Sequence, residues 1–244
     1  MNNLIKNIND SCKRLQFLSG ASLKYIAMIS MLADHVNKAL IWPNLTSEHG
    51  ALATVSNLFG IIGRIAFPLF CFFLVEGYFK TQSRIKYLLN LLVFGMISEV
   101  PFDMFTTASF FNMNWNNVMF TLALVLITIW SIDTLKERIK SKVIWVFVSL
   151  VIVTVIGIFS MNYGFDYEHH AIFIGYFFYL FYKIPILRAV LGYLSIFSEP
   201  WSLLGFGLTL TYNGKRGKQC KMLNYWFYPV HLLILGLLRL YFGY

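Results

Sequence analysis

Apolar residues in this chain do not alternate with polar ones. They run in blocks, near residues 21–42, 52–79, 85–105, 117–134, 142–162, 169–183, 185–198, 201–213 and 223–242. Blocks of about 18 residues or more with few charges predict membrane-spanning helices, because a straight helix needs that length to cross the hydrocarbon layer. The segments 185–198 and 201–213 are short for that task. They read either as a re-entrant hairpin turning at Glu199-Pro200 or as two thin crossings in a distorted bilayer. The pattern therefore predicts an all-α, polytopic transmembrane bundle of about eight to nine hydrophobic segments, with residues 1–244 forming one integral membrane domain.

The polar gaps set an orientation. Lys and Arg occur at Lys6, Lys13 and Arg14, at Lys80, Arg84 and Lys86, at Lys136, Arg138, Lys140 and Lys142, at Lys183 and Arg188, and at Lys215, Arg216, Lys218 and Lys221. The intervening gaps, 43–51, 106–116, 163–168 and 198–201, carry none. Basic loops stay on the cytoplasmic side, so the alternation predicts an N-terminus inside and a C-terminus outside. Residues 1–20 lack the apolar core of a cleavable signal. Leu4, Ile8, Cys12, Leu15 and Leu18 recur at helical spacing. The segment reads either as an amphipathic helix on the cytoplasmic membrane surface or as a frayed tail.

Composition sharpens this picture in two ways. The chain is 58% hydrophobic and 13% charged, about half the charge of an ordinary soluble domain, which leaves no room for a soluble catalytic domain. The net charge of +9 sits in short loops, where topology control accounts for it; no polar domain offers a nucleic-acid surface. Cys12, Cys71 and Cys220 lack metal spacing, and an odd count argues against a disulfide framework. His169-His170 with Asp166 and Glu168 does not match a zinc pattern, so no metal is expected.

Ionisable residues inside apolar blocks carry the candidate chemistry, since such groups are costly in a membrane. Lys24 and His35 lie eleven residues apart, very nearly three helical turns, so they share a face about 16–17 Å apart along the axis. Met28 and Met31 fall between them, and Asp34 is adjacent to His35. This puts a cation near the cytoplasmic side, an apolar strip, then an imidazole deep in the span. A ligand with an anionic tail and a distant reactive head, such as a coenzyme A thioester, fits that layout. Arg64 reads either as an anchor for a carboxylate or for the acceptor, or as half of an ion pair with Glu99 or Asp103. Those two carboxylates flank Pro101 and read as orienting or acceptor-binding groups, or as a polar helix end. Pro68 is expected to kink the second block. The loop Tyr212-Asn213-Gly214-Lys215-Arg216-Gly217 can present backbone N–H groups and cations to phosphate. His231, in Tyr228-Pro229-Val230-His231, reads as structural.

These residues resemble the TraX family from about Gly20 to Tyr241. The resemblance rests on Leu23-Lys24 with Asp34-His35, on Gly63-Arg64-Ile65-Ala66-Phe67-Pro68-Leu69-Phe70 through Glu76-Gly77, and on Ser98-Glu99-Val100-Pro101-Phe102-Asp103. Asn117 to Thr121, the 212–217 loop and the 228–231 motif extend it. Founding members of that family acetylate the amino terminus of conjugative pilin. The basic residue, ten-residue gap and histidine also resemble the acyltransferase-3 pattern, with Lys24 where many members have Arg. The resemblance implies acetyl-CoA as co-substrate, His35 as the catalytic residue and Lys24 at the donor site. The expected reaction is acetyl transfer to an amine or hydroxyl of a surface peptide, glycan or lipid at the bilayer. His35 acts as general base, Asp34 or Glu99 orients it, Lys215 and Arg216 meet the donor phosphates, and Arg64, Glu99 and Asp103 bind the acceptor. The rival reading is an ion-coupled small-molecule transporter using the same buried charges.

Overall fold

The computed structural model describes residues 14–45, 50–112 and 114–243. The expectation for the N-terminal segment falls mainly on residues 1–13, outside the described residues. Ten α-helices follow in order: α1 (Gly20–Val36), α2 (Gly50–Gly63), α3 (Ala66–Lys80), α4 (Arg84–Thr107), α5 (Val118–Arg138), α6 (Lys142–Asn162), α7 (Glu168–Leu180), α8 (Pro185–Leu194), α9 (Ser202–Thr209) and α10 (Lys221–Phe242). A π turn, Asn37–Ile41, prolongs α1, and the Pro43-containing turn Trp42–Asn44 ends it.

Helix starts follow the local sequence. Ser19, Ser83, Asn117 and Ser141 each accept a hydrogen bond from an orphan N–H in the first turn of α1, α4, α5 and α6. Side-chain oxygens at this position satisfy donors that the helix cannot. The 52–79 block is broken at Arg64-Ile65, between α2 and α3. The break is not at Pro68 itself but four residues before it. There the proline ring meets the i−4 carbonyl, and its missing N–H removes a helical bond.

Among the described residues, five stretches are long and apolar enough to cross a membrane: Gly50–Lys80, Arg84–Thr107, Val118–Arg138, Lys142–Asn162 and Met222–Phe242. On α6, Val143, Phe147, Val151, Val155 and Ile158 form one exposed stripe. In water such a stripe is an aggregation hazard; in a bilayer it is the lipid face. The chain is thus a multi-pass membrane protein. The segments 185–198 and 201–213 shorten to α8 and α9, with turns between.

Helix α3 is central, packed by α1, α5, α7 and α9. Its Phe67, Phe72, Val75 and Tyr78 join Val125, Ile129, Ile172 and Phe178 in the largest core. Helix α10 lies along α4, and its Tyr228 and Leu232 join Met31 and Phe102 in a second core.

Among the described residues, the basic gaps after α3, α5 and α9 gather at one end of the bundle, with Lys24 of α1. Arg84 pairs with Asp133 at 3.0 Å, Lys80 donates to the Gly214 carbonyl, and Lys24 donates to Gln219. Asp133 also accepts from the hydroxyls of Tyr78 and Tyr179, each at 2.6 Å, so one carboxylate ties α3, α4, α5 and α7 together. Asp133→Ala strands three donors. Hydrogen bonds to charged groups contribute about 1.5–3 kcal/mol, and a loss of that size should appear as a lower thermal midpoint of the detergent-solubilised variant.

Candidate functional site

A run of four cavities with shared wall residues extends from the basic end to the opposite, distal end. At the basic end, a vestibule of about 820 Å³ is lined by Lys24, Lys80, Lys86, Arg216 and Tyr212. It shares Lys24, Phe73, Asn90 and Arg216 with an inner chamber of about 330 Å³ that reaches Met28 and Met31. That chamber in turn shares Met31, Phe70, Val118 and Tyr228 with a distal chamber of about 340 Å³. His35, Lys38, Phe102, Trp115 and Asp166 line both the distal chamber and an outer cleft of about 600 Å³. Lys24, Met28, Met31 and His35 thus all turn toward this run, as one helical stripe.

The vestibule is built by zipping the 211–217 loop onto the start of α1. Leu18 N–H donates to the Thr211 carbonyl, Gly20 N–H to that of Lys215 and Ala21 N–H to that of Arg216. This carries the Arg216 side chain into the cavity beside Lys24, whose ammonium lies 5.2 Å above the Phe73 ring. Lys215 contributes its carbonyl to that zipper, while its side chain is exposed and does not line the four cavities.

In the distal chamber, His35 Nδ1 lies 2.7 Å from Nε2 of His231 on α10. The ring centroids are 5.0 Å apart and the planes differ by 10°, so the rings meet edge to edge in one plane. The other nitrogen of His231, Nδ1, donates to the Phe227 carbonyl at 2.6 Å. His35 also rests against Phe105, with centroids 4.8 Å apart. Neither Asp34 nor Glu99 touches the ring: Asp34 pairs with Lys38 at 2.7 Å. Asp34 is pressed against α2, where a Cβ added to Gly63 would come within 2.4 Å of the Asp34 Cβ; only glycine permits that approach.

Arg64 lines the distal chamber and pairs with Glu199 at 2.9 Å. The expected partners Glu99 and Asp103 lie elsewhere on α4. Glu99 accepts from the Asn117 side chain and Asp103 from the Asn112 N–H. Neither lines the four cavities.

Two residues that line the distal chamber escaped the sequence as candidates for this site: Lys38, and Asp166, which the sequence offers only beside His169-His170. The Asp166 loop is fixed by backbone bonds, Asn116 N–H to the Gly164 carbonyl at 2.8 Å and Asp166 N–H to the Asn116 carbonyl at 3.2 Å. Gly164, at φ +64°, sits where a Cβ would fall 1.9 Å from the Asn114 carbonyl oxygen. Tyr167, at φ 59°, stacks on Phe67 with ring centroids 3.5 Å apart. Together they aim Asp166 into the chamber. Burial pushes its carboxyl up to about 6, Asp34 adds to the rise, and Lys38, Arg64 and the Tyr167 N–H oppose it. A raised carboxyl holds its proton more tightly folded than unfolded, so the contribution of Asp166 to stability is greatest at low pH and falls as pH climbs from about 4 to about 6. Asp166→Asn should remove that fall and be the more stable form at pH 7, by of order 1–3 kcal/mol. Thermal midpoints of both proteins across that range check it.

Fold and cavities define a polytopic helical membrane protein with a basic chamber at one end, a histidine-bearing chamber toward the other and a shared wall of Met31, Phe70, Val118 and Tyr228 between them. The chain belongs to the TraX protein family, which matches residues 19–239. It is also 36% identical over 118 residues to a protein of Dichelobacter nodosus described as probable fimbrial assembly protein FimC, serogroup H1. That stretch is 46% of this chain and 45% of the relative, so the match spans less than half of either. No solved structure matches the chain.

Proposed function

We propose that this protein is a membrane-embedded acetyltransferase. It takes the acetyl group of acetyl-CoA from the cytoplasm at its basic end and passes it to an amine or hydroxyl acceptor reached from the distal end. The observation that carries this reading is the α1 stripe: Lys24 opens into the basic chambers, His35 into the distal ones, and Met31 sits on the partition they share. The eleven-residue separation spans about 16–17 Å of helix, which suits a donor with phosphates at one end and a thioester at the other.

The donor phosphates meet Lys24 and Arg216, with Lys80 and Lys86 on the rim. The pantetheine arm lies along Met28, Phe70 and Phe73, and the acetyl group crosses the partition. The neutral imidazole of His35 takes the proton of the acceptor N–H or O–H as a new bond forms to the acyl carbon. The carbon–sulfur bond breaks, and the leaving thiolate receives that proton from His35. Free coenzyme A and the acetylated acceptor are the only products. Arg64, Lys38, Asp34 and Asp166 form the acceptor wall. The fimbrial description of the relative supports a surface peptide as acceptor, ahead of a glycan or a lipid.

A transporter would draw on the same run of cavities. Purified protein given acetyl-CoA and an acceptor preparation separates the two. Release of free thiol that depends on both protein and acceptor supports the transferase. Movement of intact donor across a vesicle without thiol release contradicts it.

A further inference from the structure

Resting on the reading of His35 as the base, we propose that His231 is a positioning residue that fixes which nitrogen of His35 can accept a proton.

The Phe227 carbonyl oxygen can only accept, so the His231 Nδ1 that lies 2.6 Å from it carries a hydrogen. A neutral imidazole has one N–H; the Nε2 of His231 is therefore a bare acceptor. That acceptor faces His35 Nδ1 at 2.7 Å, which must then be the nitrogen bearing the hydrogen of His35. The lone pair of His35 falls on Nε2. No protein group among the described residues is seen to bond that nitrogen, and the His35 side chain lines both the distal chamber and the outer cleft.

The geometry supports a specific rather than an incidental contact. The centroids lie 5.0 Å apart for an N···N distance of 2.7 Å, so the two nitrogens fall close to the line between ring centres, as an in-line N–H to nitrogen bond requires. His231 is buried, 6% exposed, and held between Phe227 and Tyr228, with ring centroids 4.7 and 5.8 Å away. It therefore loses little freedom in keeping its bond. Which nitrogen of a histidine is protonated is set by the partner of the other nitrogen. When His35 takes up the acceptor's proton, His231 Nε2 remains hydrogen-bonded to the imidazolium and helps to hold its charge. The device does for His35 what a carboxylate does in other base pairs, but with a neutral partner, which avoids placing a bare anion inside the span.

The test uses the full chain in detergent. His231→Leu should lower kcat for acetyl transfer by roughly 10- to 100-fold while leaving KM for acetyl-CoA within about twofold, since ground-state binding is untouched. His231→Gln places an amide oxygen near the position of Nε2 and should recover most of kcat. Nitrogen NMR of the ¹⁵N-histidine-labelled wild-type protein should show His35 with a protonated Nδ1 and an unprotonated Nε2, independently of any activity. Equal losses in the Leu and Gln variants, an unchanged kcat in both, or a protonated Nε2 on neutral His35 would overturn the proposal. Full activity of His35→Ala would instead overturn the reading of His35 as base, with the NMR result still deciding the tautomer.

Discussion

His35→Ala should lower acetyl transfer by at least about a hundredfold while the protein remains folded in the membrane. A positioned general base contributes roughly 10²–10⁴ in rate, and the distal chamber offers few substitutes. Asp34 is held by Lys38, and Arg64 cannot act as a base while it stays protonated. His231 sits behind His35 and lines neither the distal chamber nor the outer cleft. His170 lines the same chamber, and with its Nδ1 2.5 Å from the Ser195 carbonyl its Nε2 keeps a lone pair, so His170→Ala in the His35→Ala background should remove any residual rate. Removing the imidazole leaves space beside Phe105 and costs packing, so the assay must be normalised to folded protein. The expected signature is a loss in kcat with donor binding retained.

Lys24→Glu should act on the opposite parameter. Lys24 stands where the vestibule meets the inner chamber, hydrogen-bonded to Gln219 at 3.3 Å and next to Arg216. Loss of one charge-assisted bond to a phosphate is worth about 1.5–3 kcal/mol, or roughly 10- to 150-fold in affinity. A carboxylate in its place adds repulsion, so KM for acetyl-CoA should rise at least about tenfold, with kcat at saturation much less changed. Lys24→Gln should show a smaller rise, and adding salt should shrink the difference between the two variants, because exposed charges are screened. A fall in kcat with an unaltered KM would move the donor away from this cavity.

The two residues on which both predictions rest were legible because helical phase is local. Eleven residues return to the same face whatever the rest of the chain does, and the gathering of the basic gaps at one end follows the alternation of charge along the chain. The partners were not legible. His35 and His231 are 196 positions apart, and Arg64 meets Glu199 rather than the carboxylates of α4. These pairings depend on α10 lying along α4 and against α1, and on the 194–202 turn reaching the α2–α3 break. Periodicity carries no record of such packing. Asp166 escaped for a related reason: its aim is set by backbone bonds between two loops and by left-handed residues at Gly164 and Tyr167. The break before α3 was half legible; Pro68 signalled it, but the distortion falls at Arg64-Ile65, where the ring meets the preceding turn.

The most direct measurement is an experimental structure of the protein with a non-transferable acetyl-CoA analogue in which the thioester sulfur is replaced by methylene. The account predicts phosphates against Lys24 and Arg216, the pantetheine arm passing Met31, and the acetyl carbonyl carbon within about 4 Å of His35 Nε2, close to a near-attack distance. An analogue lodged wholly in the vestibule, or with its acetyl end directed away from His35, would contradict it.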